Sequence, residues 1–127
     1  MTNPLQPSPK EIAAHLIQAR ERVHSAELLA KAGQLRDAMS RAYYAFFDAT
    51  TAALLSRGYI AKTHQGLVTL FNREFIVSGI FERGMLRHLA QAKEAREEAD
   101  YETYKTYTPE QVAHAISAAE EFIAKEV

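Results

Sequence analysis

Leu35-Arg36-Asp37-Ala38-Met39-Ser40-Arg41-Ala42-Tyr43-Tyr44-Ala45-Phe46-Phe47-Asp48-Ala49-Thr50-Thr51-Ala52-Ala53-Leu54-Leu55-Ser56 holds no Gly or Pro and is rich in Ala. Ala has the strongest helix propensity, so this stretch is expected to be a helix. Leu35, Met39, Ala42, Phe46, Ala49 and Ala53 recur at steps of four and three, which places them on one helical face. Tyr43, Phe47 and Leu54 widen that face on one side, and Tyr44 and Leu55 widen it further. A helix apolar around most of its circumference packs between other helices. Small Ala positions let neighbours come close, and the aromatic rings fill the gaps. The stretch therefore reads as the central helix of a bundle, with Ser40, Arg41 and Asp48 as its polar exceptions.

Helices are expected on both sides of it. Residues 1–9, with Pro4, Pro7 and Pro9, read as an extended leader. Ser8 is placed to cap a first helix that has Pro9 at its first position and Glu11 at its third. That helix should run to about Ala32, with Ile12, Leu16, Ala19, Val23, Ala26 and Ala30 as its apolar stripe and Arg20, Glu21, Arg22 and Glu27 mostly off it. Gly33 is its expected stop, and a short link folds the chain back antiparallel into the central helix. Gly58 ends the central helix. A third helix is expected over 63–77 and a fourth over 81–100. Thr108-Pro109-Glu110-Gln111 is a capping box that opens the last helix. The fold class is all-α, an up-and-down bundle of four long helices plus a shorter one, forming one domain over residues 10–127.

Composition narrows the function classes. The chain has 127 residues, a net charge of −1 and no Cys. Thiolate chemistry, disulfides and Cys-based zinc sites are excluded, and the overall charge is not that of a nucleic-acid binder in bulk. Five scattered Gly form no phosphate loop. No two of His15, His24, His64, His88 and His114 lie three or four apart, so no helix carries a His pair for a metal. No metal and no cofactor are called for. No apolar run is long enough to cross a membrane, and no signal-peptide pattern opens the chain; a cytoplasmic location is expected.

Three groups could carry chemistry. In Arg96-Glu97-Glu98-Ala99-Asp100-Tyr101-Glu102-Thr103-Tyr104, the apolar series Phe81, Met85, Leu89, Ala92 ends on Arg96, so its guanidinium either is paired or faces a cleft. An Arg suits phosphate, and Glu97 and Asp100, three apart, project from neighbouring points of a helix. Otherwise Arg96 ties two helices together through a carboxylate. On the central helix Arg41, Tyr44 and Asp48 fall on one face and could meet Arg96 or Asp100, or form a polar seam between helices. At Lys62-Thr63-His64-Gln65, a helix start with Lys62 and His64 beside it could hold an anion, or Thr63 could simply cap the helix.

Ser40-Arg41-Ala42-Tyr43-Tyr44-Ala45-Phe46-Phe47, then Lys62-Thr63-His64, then Arg96-Glu97-Glu98-Ala99-Asp100-Tyr101 resemble, in this order and spacing, the HEPN domain family, above all its small single-domain bacterial and archaeal members. The resemblance spans about residues 10 to 127. It implies a helical bundle that forms a homodimer and, in many members, metal-independent ribonuclease activity from an Arg, often followed by Asn, with a His about five residues on. It also implies a minimal nucleotidyltransferase as partner in a toxin–antitoxin pair. Arg96 matches the Arg. Glu97 stands in place of the Asn and Tyr101 in place of the His. A phenol is a poor proton acceptor near neutral pH, so whether the protein is an enzyme stays open. One reading is a toxin-side protein that binds RNA or nucleotide phosphate through Arg96, with Tyr101 and Asp100 in the same cleft, Arg41 and Tyr44 as a second wall, and Tyr101 and Tyr104 as modification candidates. The other is a non-catalytic nucleotide-binding or protein-interaction module.

Overall fold

In the computed structural model, residues 8–79, Arg87, Glu94 and residues 106–125 are described. The order is α1 (Pro9–Lys31), α2 (Leu35–Leu55), α3 (His64–Phe71), a π-helical turn (Asn72–Ile76) and α4 (Pro109–Lys125). There is no strand among the described residues, and the fold is an all-α bundle. Of the fourth helix expected over 81–100, only Arg87 and Glu94 are described, both helical.

The caps lie where the residues put them. Ser8 accepts from the Glu11 amide at 3.2 Å. Thr108 and Gln111 close the reciprocal box at 2.9 and 3.1 Å. Each side chain takes up a backbone N–H that the helix itself leaves without an acceptor. At the C-terminus of α1 the Gln34 amide donates to the Leu29 carbonyl and the Gly33 amide to that of Ala30. At the end of α2 the Tyr59 amide donates to Leu54 and the Gly58 amide to Leu55. Both are Schellman closures. They require a left-handed residue, and Gly33 and Gly58 supply it at φ +80° and +83°.

α2 is the centre, as its Ala-rich pattern predicts. It packs on α1, α3 and α4. Ala19 and Ala26 of α1 and Ala38, Ala42, Ala45 and Ala49 of α2 are fully buried, and Ala at such positions lets backbones approach closely. Farther along, rings fill the wider space. Phe122 of α4 lies 5.7 Å from Phe46 and 5.4 Å from Phe71, and Phe71 stacks on Phe75 at 5.5 Å. Full burial of one such ring contributes about 1.5–3 kcal/mol.

The third helix departs from expectation. Instead of one helix over 63–77, α3 ends at Phe71 and the chain continues as a π turn, in which the Val77 amide reaches back five residues to the Asn72 carbonyl at 2.8 Å. The extra residue per turn lets both Phe75 and Ile76 be buried.

Candidate functional site

The polar exceptions on α2 gather a partner from α1. Asp48 is 7% exposed in a helix otherwise buried on that side. Arg22 donates from Nε to its Oδ2 at 2.7 Å, and the same guanidinium lies over the Tyr44 ring, 5.0 Å from its centroid. Tyr44 in turn meets Tyr43 edge-on at 5.4 Å. Burial raises the Asp48 carboxyl above its ordinary value; the hydrogen bond and charge of Arg22, with the charge of His15, act in the opposite direction. The Nδ1 atom of His15 and the hydroxyl of Thr50 are buried without a hydrogen-bond partner among the described residues.

Arg41 is exposed. It joins Ala14, Gln18, Glu21, Arg22 and Ser25 in lining an open groove of about 480 Å³ between α1 and α2. Two guanidiniums, an amide and a hydroxyl thus face one open space beside the Glu21 carboxylate, and the two guanidiniums are the groups that suit an anionic oxygen. Arg22 is held in place by Asp48 below and Tyr44 beside it.

Of the residues the sequence singles out, Tyr44 and Asp48 are brought together, but through Arg22 and not by Arg41. The sequence pattern places Arg22 mostly off the apolar stripe of α1. Arg22 is half-buried because it flanks the Ala19–Val23–Ala26 stripe closely enough to reach across to α2. The signal for it was present: a carboxylate in the middle of an apolar helix needs a cation from a neighbour, and α1 carries two arginines near its midpoint. Thr63 caps α3, accepting from the Gly66 amide at 2.9 Å. His64 opens α3, and its side chain lies outside the described residues, as do Arg96, Glu97, Asp100, Tyr101 and Tyr104. No group of three or more His, Asp or Glu side chains among the described residues could hold a metal ion, and no helix among them is long and apolar enough to cross a membrane.

A second carboxylate contact joins α1 to α4. The Glu120 carboxyl is raised first by a hydrogen bond with Glu27, then by burial and by the charge of Glu27.

An all-α bundle with a central Ala- and Tyr-rich helix and a charged seam against its first helix defines the class of protein. The particular family follows from comparison. The HEPN domain profile matches residues 12–127, and the chain belongs to the HEPN family. Its relatives include a UPF0332 protein, PH1297, of Pyrococcus horikoshii, 38% identical over 67% of this chain and 60% of the relative. A UPF0332 protein of Thermotoga maritima is 34% identical over 84% of this chain and 80% of its own length. A Methanocaldococcus jannaschii protein named "Putative toxin MJ0605" is 34% identical over 90% of this chain and 84% of its own length. The chain spans about three fifths of the length of the Pyrococcus relative.

Proposed function

We propose that this HEPN protein is the toxin-side member of a pair with a nucleotidyltransferase, and that it acts as a homodimer on RNA or nucleotide phosphate through Arg96. The groove lined by Arg22 and Arg41 carries the reading furthest among the described residues. It offers two always-charged donors, one of them fixed by a buried carboxylate. The toxin name of the Methanocaldococcus relative supports the biological side. Arg96, Asp100 and Tyr101 would contact phosphate in the main cleft, with Arg41 and Tyr44 as its second wall. Tyr101 and Tyr104 are the candidates for modification by the partner. The test is cleavage of a labelled RNA mixture without metal, with nucleotide titration alongside, by wild type and Arg96→Ala. Loss of either activity in a folded Arg96→Ala protein supports the reading.

The second reading, a non-catalytic nucleotide-binding module, is favoured by one observation: Tyr101 stands where a His would be needed to take a proton near neutral pH. Nucleotide binding without RNA cleavage by wild type decides for it.

A further inference from the structure

The chain is nearly neutral, but its charge is not evenly spread. Residues 56–79 carry Arg57, Lys62 and Arg73 against the single acid Glu74, a net charge of +2 with His64 neutral, in a chain whose total is −1. The fold gathers this excess at one end of the bundle. The Schellman closure at Gly58 turns the chain sharply after α2, with Arg57 just before the turn and Tyr59 just after it. Across from them lies the π turn. Arg57 covers the Phe75 ring at 4.9 Å and Arg73 covers the Tyr59 ring at 5.3 Å. Two reciprocal contacts thus stitch the loop to the π turn, and each holds an arginine over a ring.

A guanidinium has five N–H donors, so one held over a ring keeps donors for other partners. Arg73 spends Nε on Glu74 at 2.9 Å. Arg57 and Lys62 are exposed, and the ion pairs among the described residues, Arg22–Asp48, Arg73–Glu74 and Lys125–Glu121, include neither. Beside them Tyr59 is half-buried, and Ile60 is 50% exposed. Pre-positioned guanidiniums interleaved with an aromatic and an apolar side chain suit the backbone of a flexible single strand. Phosphates meet the cations there, while bases contact the ring edge and the apolar surface.

We infer that the edge formed by Arg57, Tyr59, Ile60, Lys62 and Arg73 is a docking surface for single-stranded RNA. It rests on the reading of this protein as one that engages RNA phosphate, and adds these residues to the contact. Each cation on the edge holds one phosphate and releases counterions, so binding here is salt-dependent and indifferent to sequence.

The experiment titrates a labelled single-stranded oligoribonucleotide against the full-length protein at several salt concentrations. The variants are Arg57→Gln, Lys62→Gln, their double mutant, Arg57→Lys, and Lys31→Gln as control. Lys31 is exposed and lies beside the start of α2, roughly 30 Å from Arg57 by the helix rise. Each edge variant is expected to bind several-fold more weakly at low salt, with the salt slope falling by about 0.7 per cation removed. Arg57→Lys should keep the slope, and Lys31→Gln should match wild type. Equal loss in Lys31→Gln, unchanged slopes in the edge variants, or no RNA retention by wild type at low salt overturns the inference; the last outcome leaves the edge to an acidic protein.

Mononucleotide titration of Arg96→Ala and of the edge variants distinguishes this inference from the Arg96 reading. Mononucleotide binding lost in Arg96→Ala with edge slopes unchanged removes this inference and leaves the Arg96 reading. Edge slopes that fall while wild type binds no mononucleotide do the reverse.

Discussion

Among the described residues three arginines lie over aromatic rings at nearly the same distance, 5.0, 4.9 and 5.3 Å, yet they sit in two different settings. Arg22 covers Tyr44 between α1 and α2 and is bound to Asp48, which is 7% exposed. Arg57 and Arg73 cover Phe75 and Tyr59 on an exposed edge. In the first setting the ring contact accompanies a charge pair between a half-buried guanidinium and a buried carboxylate, which cannot be separated cheaply. In the second it orients cations that water and ligands still reach. The same pairwise geometry holds the fold in one place and presents charge in the other; burial decides which.

The comparison breaks most visibly at Arg22. Arg22→Ala leaves the Asp48 carboxylate buried without its cation, and should cost on the order of 3 kcal/mol in chemical denaturation at neutral pH. The loss should shrink as pH falls, because Asp48, freed from the two influences of Arg22 that lower its pKa, then takes up a proton. Replacing both partners together, Arg22→Met with Asp48→Leu, should recover most of the loss, since no buried charge remains. Arg57→Gln, on the exposed edge, should cost no more than about 0.5–1 kcal/mol. If Arg57→Gln costs as much as Arg22→Ala, the division between the two settings is wrong.

The smallest effect is expected at the contact of Glu27 with Glu120. A carboxyl whose folded-state pKa is raised stabilises the fold below the ordinary carboxylate range, and that contribution is lost as pH rises through the raised value. Above that raised value the Glu120 carboxylate faces the Glu27 side chain without the shared proton. Glu120→Gln should therefore give a slightly higher Tm than wild type at pH 7 and none of that gain at pH 4, read by thermal melts at both.

Much of the fold was legible because it rests on local rules. Ser8, Gly33, Gly58, Thr63 and the Thr108–Gln111 box each satisfy or end a helix within a few residues, and the Ala and aromatic periodicity of α2 names its core face. The π turn was not legible. It arises because Phe71, Phe75 and Ile76 all find room in the core, which depends on the packed helices and not on residues 72–76 alone. The polar site was half legible. Tyr44 and Asp48 stood out on an apolar helix, but Arg22 was hidden, since flanking an apolar stripe looks the same in sequence whether a side chain turns out to solvent or across to a neighbour. The residues of the Arg96 block carry their reading through family likeness, which is why they call for the direct test.

That test is Arg96→Ala, purified beside wild type and melted to show that it folds, then titrated with a mononucleotide and a labelled RNA in the absence of metal. The expected result is a Tm close to wild type with mononucleotide binding, and any RNA cleavage, lost. A Tm lowered by the equivalent of about 3–5 kcal/mol with ligand binding otherwise intact would contradict it, and would make Arg96 a second Arg22, a charge that ties helices together.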